Sequence, residues 1–369
     1  MHRIRSIGML ALTVALVAAA CSSGNSGSDL ESVAQGCEVD QVDGDLSLYN
    51  WSEYIDPDLV QKFRDTYGVD VVETFYESNE AMLAQVEAGG ATYDLIVPSD
   101  YMVDIMRQEG LLVKLNKDAI PNLANLDPKF TGLPFDPDGE YSAPYQWGTT
   151  GIGFSYDVVD DAADLTWGLI FDPEMSAPLT GRISLLDDER EVFAAALKYL
   201  GYSVNTTDQA QLDEATALLK AAKDRVATFT SDSFEDLLVS GEVDLAHGWN
   251  GDFFAAFDEA DAWEDYGYGI PKEGGVAWVD NMAIPTTAEA VCTAHTFINF
   301  IFDAANGAQL SEWNYYASPN AKANELIDPE ILSDPAVYPT PETFEKLEFL
   351  ADLGDFATNY ADAFTEVKS

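Results

Sequence analysis

Aromatic rings and carboxylates recur just past the apolar runs of this chain. LSLYN (46–50) is followed by Trp51, Ser52, Glu53 and Tyr54, and DLIVP (94–98) by Ser99 and Tyr101. ISLL (183–186) is followed by Asp187, Asp188 and Glu191, and DLAHG (244–248) by Trp249; VAWVD (276–280) adds Trp278 and Asp280. Hardly a Lys or Arg stands among them. This set suits an organic polycation: ammonium groups donate charge-assisted hydrogen bonds to carboxylates, and the methylenes between amines prefer flat aromatic walls. Each cation-π contact contributes about 0.5 to 2 kcal/mol. Micromolar binding needs about 8 kcal/mol, which a ligand of about ten heavy atoms reaches within the efficiency ceiling of roughly 1.5 kcal/mol per atom.

Each residue also has a structural reading. Asp188 and Glu191 have capping-box spacing at the start of a helix, and Ser99 is placed to cap another. Trp249 and Trp278 suit a core, and Tyr54 and Tyr101 suit loop packing. Capping and packing do not explain why acids and aromatics recur together at strand ends in both halves of the chain.

The elements that must position these groups alternate. LSLYN reads as a strand; Asp56-Pro57 opens a helix with Leu59, Val60, Phe63 and Tyr67 on one face, and Gly68 closes it. VDVVETFY (69–76) is a second strand, with a helix from Ser78 stopped by Gly89-Gly90; YDLIVP (93–98) is a third, with a helix from Ser99 that ends before Gly110. After a Gly-rich passage, WGTTGIGFSY (147–156), the pattern restarts. GRISLL leads into the helix EVFAAALKYLG, a helical stretch covers 208–222, and VDLAHGWN is a further strand. GGVAWVDNMAIP (274–285) then precedes a helix around AHTFINFIF. Strands separated by amphipathic helices imply parallel pairing and an α/β class. In open α/β sheets ligands sit beyond the carboxyl ends of the strands, where the acids and aromatics recur. Two lobes are expected, 45–149 with 277–322 and 150–276 with 323–369, the chain crossing near 150 and 275.

With 369 residues, the chain exceeds one comfortable core. Its 65 acidic against 18 basic residues give a formal charge of -47, which excludes nucleic acid as a partner. Most of these charges are spread along the chain as a solvated surface, screened beyond about 8 to 10 Å, so bulk charge does not name the ligand. Arg3 and Arg5 precede an apolar run, Ile7 to Val17, too short to span a membrane, so residues 1–20 read as an export signal. Ala18-Ala19-Ala20-Cys21 resembles a bacterial lipoprotein processing site, with Cys21 lipidated; an ordinary signal peptide cut nearby is the alternative. SSGNSGS (22–28) reads as the start of a flexible tether, taken as 21–44 together with the lipidated terminus. Cys37 and Cys292 remain, either as a disulfide or as two unrelated thiols.

LYNWSEYIDPDLVQKF, YESNEAMLAQ, YDLIVPSDYMV, LDDEREVF, WNGDF and VDNMAIP resemble, in order and spacing, the periplasmic spermidine/putrescine-binding proteins of polyamine ABC importers. The resemblance covers nearly the whole chain from about Leu46. It implies a two-lobed type II solute-binding fold, hinged parallel or mixed sheets flanked by helices, closing on a polyamine. It places Trp51 and Tyr54 in the wall of the site with Ser52 and Glu53 beside an amine, and adds Ser99 and Tyr101. Asp188 and Glu191 become amine-binding acids, with Asp187 and Arg190 supporting. Trp249, Trp278 and Tyr316 line the site, Asp280 is the main acidic contact, and Ser231 can line the cleft. Leu350 departs from the family: it stands where a spermidine binder can carry a polar amide, which leaves spermidine and putrescine both open.

The resemblance further implies a monomer without cofactor or metal, held by an N-terminal lipid at the periplasmic or extracellular face of the membrane and handing its ligand to permease subunits. Two alternatives stay open. Tyr315-Tyr316 with nearby acids resembles ferric-ion binders of the same fold class, although hard cations prefer all-oxygen shells. Paired carboxylates can also serve glycoside hydrolysis, but beyond the signal only His247 and His295 remain, without a recognisable catalytic motif.

Overall fold

A computed structural model describes residues 27–369; the signal segment, Cys21 and the tether up to residue 26 lie outside the described residues. Nine strands are found among the described residues: β1 Leu46–Asn50, β2 Val71–Phe75, β3 Leu95–Ile96, β4 Ser142–Ser155, β5 Ile183–Leu185, β6 Val226–Phe229, β7 Leu245–Trp249, β8 Tyr266–Gly269 and β9 Val276–Ala283. They form one mixed sheet in the order β2-β1-β3-β9-β4-β7-β5-β6, with β8 beside β4.

The pairing aims the strand ends one way within each half and, through three antiparallel pairings along β3, β9, β4 and β7, opposite ways between the halves. β1 pairs in parallel with β2 and β3, and β5 pairs in parallel with β6 and β7. Helices return the chain between these strands, as parallel pairing requires. The two parallel groups are joined by β4 and β9, which run antiparallel from Ser142↔Ala283 to Thr150↔Val276 with an irregularity between Pro144 and Gln146. One hydrophobic cluster holds Leu48, Tyr145, Trp278 and Met282; a second holds Trp147, Ile152, Val279 and Leu245. The core therefore changes hands along the two crossing strands.

All of the Gly-rich passage of 147–156 except Tyr156 belongs to β4, the longest strand described. Glycine weakens strands, so its abundance hides this element from a propensity reading. The reason lies in packing: a Cβ on Gly153 would stand 2.3 Å from the Phe253 ring, and one on Gly148 would meet Asn250 Oδ1 at 2.5 Å and Trp278 at 2.7 Å. β6 and β8 likewise escape the sequence reading.

The local signals for the early helices hold. Asp56 caps Pro57–Tyr67, which ends at Gly68 in the left-handed region, φ 70°, and the Ser78 hydroxyl accepts from Ala81 N–H at 3.2 Å. The tether is shorter than expected. From Gly27 to Ala34 the chain is helical, with Leu30 and Ala34 buried, and Cys37 is disulfide-bonded to Cys292 with Cα atoms 5.3 Å apart. Two buried apolar side chains and a covalent bond therefore pin the stretch from Leu30 to Cys37, which was expected to belong to the tether of 21–44.

Candidate ligand-binding cleft

Past β1, the turn carries Trp51, Ser52 and Tyr54 into a cavity. The other strand ends converge on it: Tyr76 and Asn79 after β2, Ser99 and Tyr101 after β3, Asp188 and Glu191 after β5, Ser231 after β6, and Trp249 closing β7. β9 supplies Trp278 and Asp280 from a crossing strand, and Tyr316 closes the wall. Twelve of the thirteen ligand residues expected from sequence meet here.

Glu53 does not. It sits at φ 51°, in the left-handed region, and the turn leaves its side chain exposed at the edge. Partial burial first, then Asp236, Glu259 and Asp232, raise its carboxyl above the usual range.

Six further lining residues are Tyr76, Asn79, Asp100, Asp232, Asp252 and Leu350. The signals were present: Tyr76 and Asn79 follow a strand end like the others, Asp100 adjoins Ser99, Asp232 adjoins Ser231, and Asp252 lies one helical turn past Trp249. Leu350 keeps its apolar side chain at the wall.

Hydrogen bonds distinguish capping from ligand-facing roles. Ser99 makes no side-chain cap; its Oγ donates to Asp280 Oδ1 at 2.6 Å and accepts from Asn79 Nδ2 at 3.0 Å. Asp188 does cap, Oδ1 accepting from Arg190 N–H at 2.9 Å and Glu191 N–H at 3.1 Å. Glu191 does not complete the capping box: Oε1 accepts from Thr150 Oγ1 at 3.1 Å, and Oε2 is buried without a partner. Both oxygens of Asp100 are held by backbone N–H groups, of Tyr101 at 2.7 Å and Val279 at 3.3 Å, so this acid ties β9 to the helix after β3.

The aromatic wall is fixed from behind. Trp51 Nε1–H donates to Val97 O at 3.0 Å, and the Tyr76 hydroxyl donates to the same carbonyl at 2.6 Å. Trp51 meets Trp249 edge-on across the cleft, centroids 5.5 Å apart. Tyr316 stands 5.1 Å from both Tyr54 and Trp278. Its neighbour Tyr315 turns away to Trp263 and Phe254, at 5.7 and 6.3 Å. The two tyrosines therefore do not converge on one ion.

Six of the lining side chains are carboxylates, seven are aromatic and none is Lys or Arg. Arg190, the basic group next to them in sequence, is committed elsewhere. Its guanidinium donates to Ala351 O at 3.2 Å and Asn205 Oδ1 at 3.1 Å, and lies over Tyr101 and Tyr360 at 5.3 and 5.4 Å. Burial pushes Asp280 up to about 7 and Asp100 to about 8. Burial first, then Glu80, raises Asp188; burial, then Asp188, raises Glu191. Buried carboxylates without a compensating charge bind protons; a cation brought among them would take that role.

Residues 58–340 match the model of a bacterial extracellular solute-binding protein family. The spermidine/putrescine-binding periplasmic protein of Salmonella typhimurium is 39% identical over 325 residues, 88% of this chain and 91% of its own. A solved chain of Listeria monocytogenes assigned to spermidine/putrescine ABC transport superposes with TM-score 0.82 at 40% identity, covering 88% of this chain and 99% of that one. The TpPotD lipoprotein of Treponema pallidum superposes with TM-score 0.74 at 33% identity, covering 87% and 98%. The mixed sheet with two parallel groups is the type II periplasmic-binding fold expected from the sequence. A match over most of the chain, with this cleft at its strand ends, makes the protein a member of the bacterial extracellular solute-binding protein family.

Proposed function

We propose that this chain captures a linear, multiply protonated polyamine of the spermidine/putrescine class between its lobes and delivers it to an ABC importer, without catalysis. One observation carries the reading: six carboxylates and seven aromatic rings line one cavity with no basic side chain among them. The names of the relatives support the ligand class. Asp188 and Glu191 on one side and Asp280 on the other receive the amines, and Trp51, Trp249 and Trp278 flank the methylenes.

The moving units are 45–149 with 277–322 and 150–276 with 323–369, hinged along β4 and β9. Closure excludes water and strengthens the carboxylate contacts, so a ligand bridging the lobes favours the closed form that a permease can read. Cys21 carries the lipid that holds the protein at the outer face of the membrane; the Treponema relative, named as a lipoprotein, supports this.

A thermal-shift panel of putrescine, spermidine, spermine, ferric ion and neutral sugars tests the reading. Amines raise the melting temperature by mass action, whereas sugars and iron leave it unchanged. A shift with iron alone, or turnover of a sugar, overturns the assignment.

A further inference from the structure

Among the described residues, Leu350 is the one aliphatic side chain in the lining of the cavity. It is buried although its neighbours in the chain, Phe349 and Ala351, are both exposed. The segment that carries it touches the start of β9: Glu348 N–H donates to Gly275 O and Ala277 N–H to Glu348 O, both at 3.1 Å. This pairing is a single bridge, Val276 to Glu348, so it does not reach Leu350.

Two side chains hold the backbone there instead. Asn205 Nδ2 donates to Phe349 O at 2.8 Å, and its Oδ1 accepts from Ala351 N–H at 2.9 Å. One planar amide therefore grips the chain on either side of Leu350, bonding the groups that a neighbouring parallel strand would bond. Arg190 donates to the same Oδ1 at 3.1 Å and to Ala351 O at 3.2 Å, which fixes the amide in turn. Anchoring the segment as a whole does not require this grip, because Lys198 Nζ and Ser203 Oγ already hold the Glu348 carboxylate, both at 2.6 Å. What Asn205 adds is confined to the residues around Leu350.

We propose that Asn205, which is not among the lining residues, is a positioning residue of the binding site: through the backbone of Phe349 and Ala351 it sets Leu350 as a fixed apolar wall for the hydrocarbon chain between the amines of the ligand. The inference rests on the polyamine reading and deepens it. An aliphatic side chain offers an ammonium no acceptor, but it removes methylenes from water, and each methylene so buried corresponds to about fourfold in affinity.

Calorimetry with putrescine and spermidine on a double-mutant cycle tests this. Asn205→Ala and Leu350→Ala should each bind the amines roughly 4- to 15-fold more weakly, the loss of one or two methylene contacts. The double variant should lie within about twofold of Leu350→Ala, because Asn205 acts only through that side chain. Ser203→Ala loosens Glu348 alone and should stay within about twofold of wild type. Additive losses in the cycle, or an equal loss in Ser203→Ala, overturn the role. So does a lower melting temperature in Asn205→Ala with unchanged affinity, the result of a merely structural contact. If Asn205→Ala does not fold, Asn205→Asp carries the same cycle, since it keeps the acceptor for Ala351 and Arg190 and loses only the donor to Phe349. Wild-type chain that binds no amine defeats the parent reading instead.

Discussion

Asp280→Asn removes one negative charge while keeping the shape of a side chain that is 5% exposed. Ser99 Oγ donates to Asp280 Oδ1 at 2.6 Å, and the extended backbone bridges Ser99 and Asp280, so the carboxylate is held before any ligand arrives. A charge-assisted hydrogen bond contributes about 1.5–3 kcal/mol, so the variant should bind spermidine or putrescine roughly 10- to 150-fold more weakly in calorimetry at pH 8. The fold should respond in the opposite direction. Burial raises this carboxyl from 3.8 to about 7 in the ligand-free chain. A group raised on folding contributes stability fully present below its unfolded pKa, here about 4, and lost as pH rises through about 7. Above that window the ionised Asp280 opposes folding by up to roughly 4 kcal/mol, which the amide does not. The ligand-free variant should therefore melt at or above the wild-type temperature at pH 8. Unchanged affinity for every amine would refute the assignment of Asp280, and a lower melting temperature would refute the electrostatic argument.

The same sign applies to the cleft as a whole: with Asp280, Asp100, Asp188 and Glu191 all raised by burial, the ligand-free chain should lose melting temperature from about pH 5 to pH 8. Saturating spermidine should flatten that profile. Trp51→Ala should cost about 0.5–2 kcal/mol of amine binding through lost cation-π contact, and the tryptophan fluorescence change on binding should shrink with it. Gly153→Ala forces a Cβ to within 2.3 Å of Phe253; thermal denaturation should show about 1–3 kcal/mol of lost stability from overpacking. Replacing Cys37 and Cys292 by Ser should lower the melting temperature, by up to about 5 kcal/mol of stability, while leaving amine affinity unchanged, since the bond pins the N-terminal helix away from the cleft residues.

What was legible in the sequence follows from how local each signal is. Caps such as Asp56 and Ser78, and the strand ends at Asn50 and Trp249, are set by residues within a few positions. Because parallel strands share a carboxyl end, the strand-end rule then collected a dispersed site without knowledge of the register. It failed where a long-range partner decides. The glycines of β4 look like breakers until Phe253, Trp278 and Asn250 are seen packed against them. Ser99 looks like a helix cap until Asp280, 181 residues away, takes its proton donor. Glu53 shares a motif with Trp51 and Tyr54, yet one left-handed residue in the turn sends it to the rim. The alternating pattern places the crossings near 150 and 275 but not the antiparallel pairing of β4 with β9, because strands brought together from distant parts of the chain leave no local signature.

That antiparallel pair connects electrostatics to closure. On the proposed reading, bringing the parallel groups together around Asp188, Glu191 and Asp280 buries several carboxylates at once, and the raised pKa of Asp280 is the local measure of that cost. Whatever closure adds to that cost falls on the closed form alone. A cation bound to one side alone offsets only its own contacts and gives little preference between the forms. A ligand with amines on both sides gains in the closed form what the carboxylates lose there. Moving an equilibrium from 1:99 to 99:1 takes about 5.5 kcal/mol of differential affinity. Two or three charge-assisted contacts at about 1.5–3 kcal/mol each reach that figure, and one does not. The spacing of amines along the ligand, more than its total charge, is therefore what the two lobes measure.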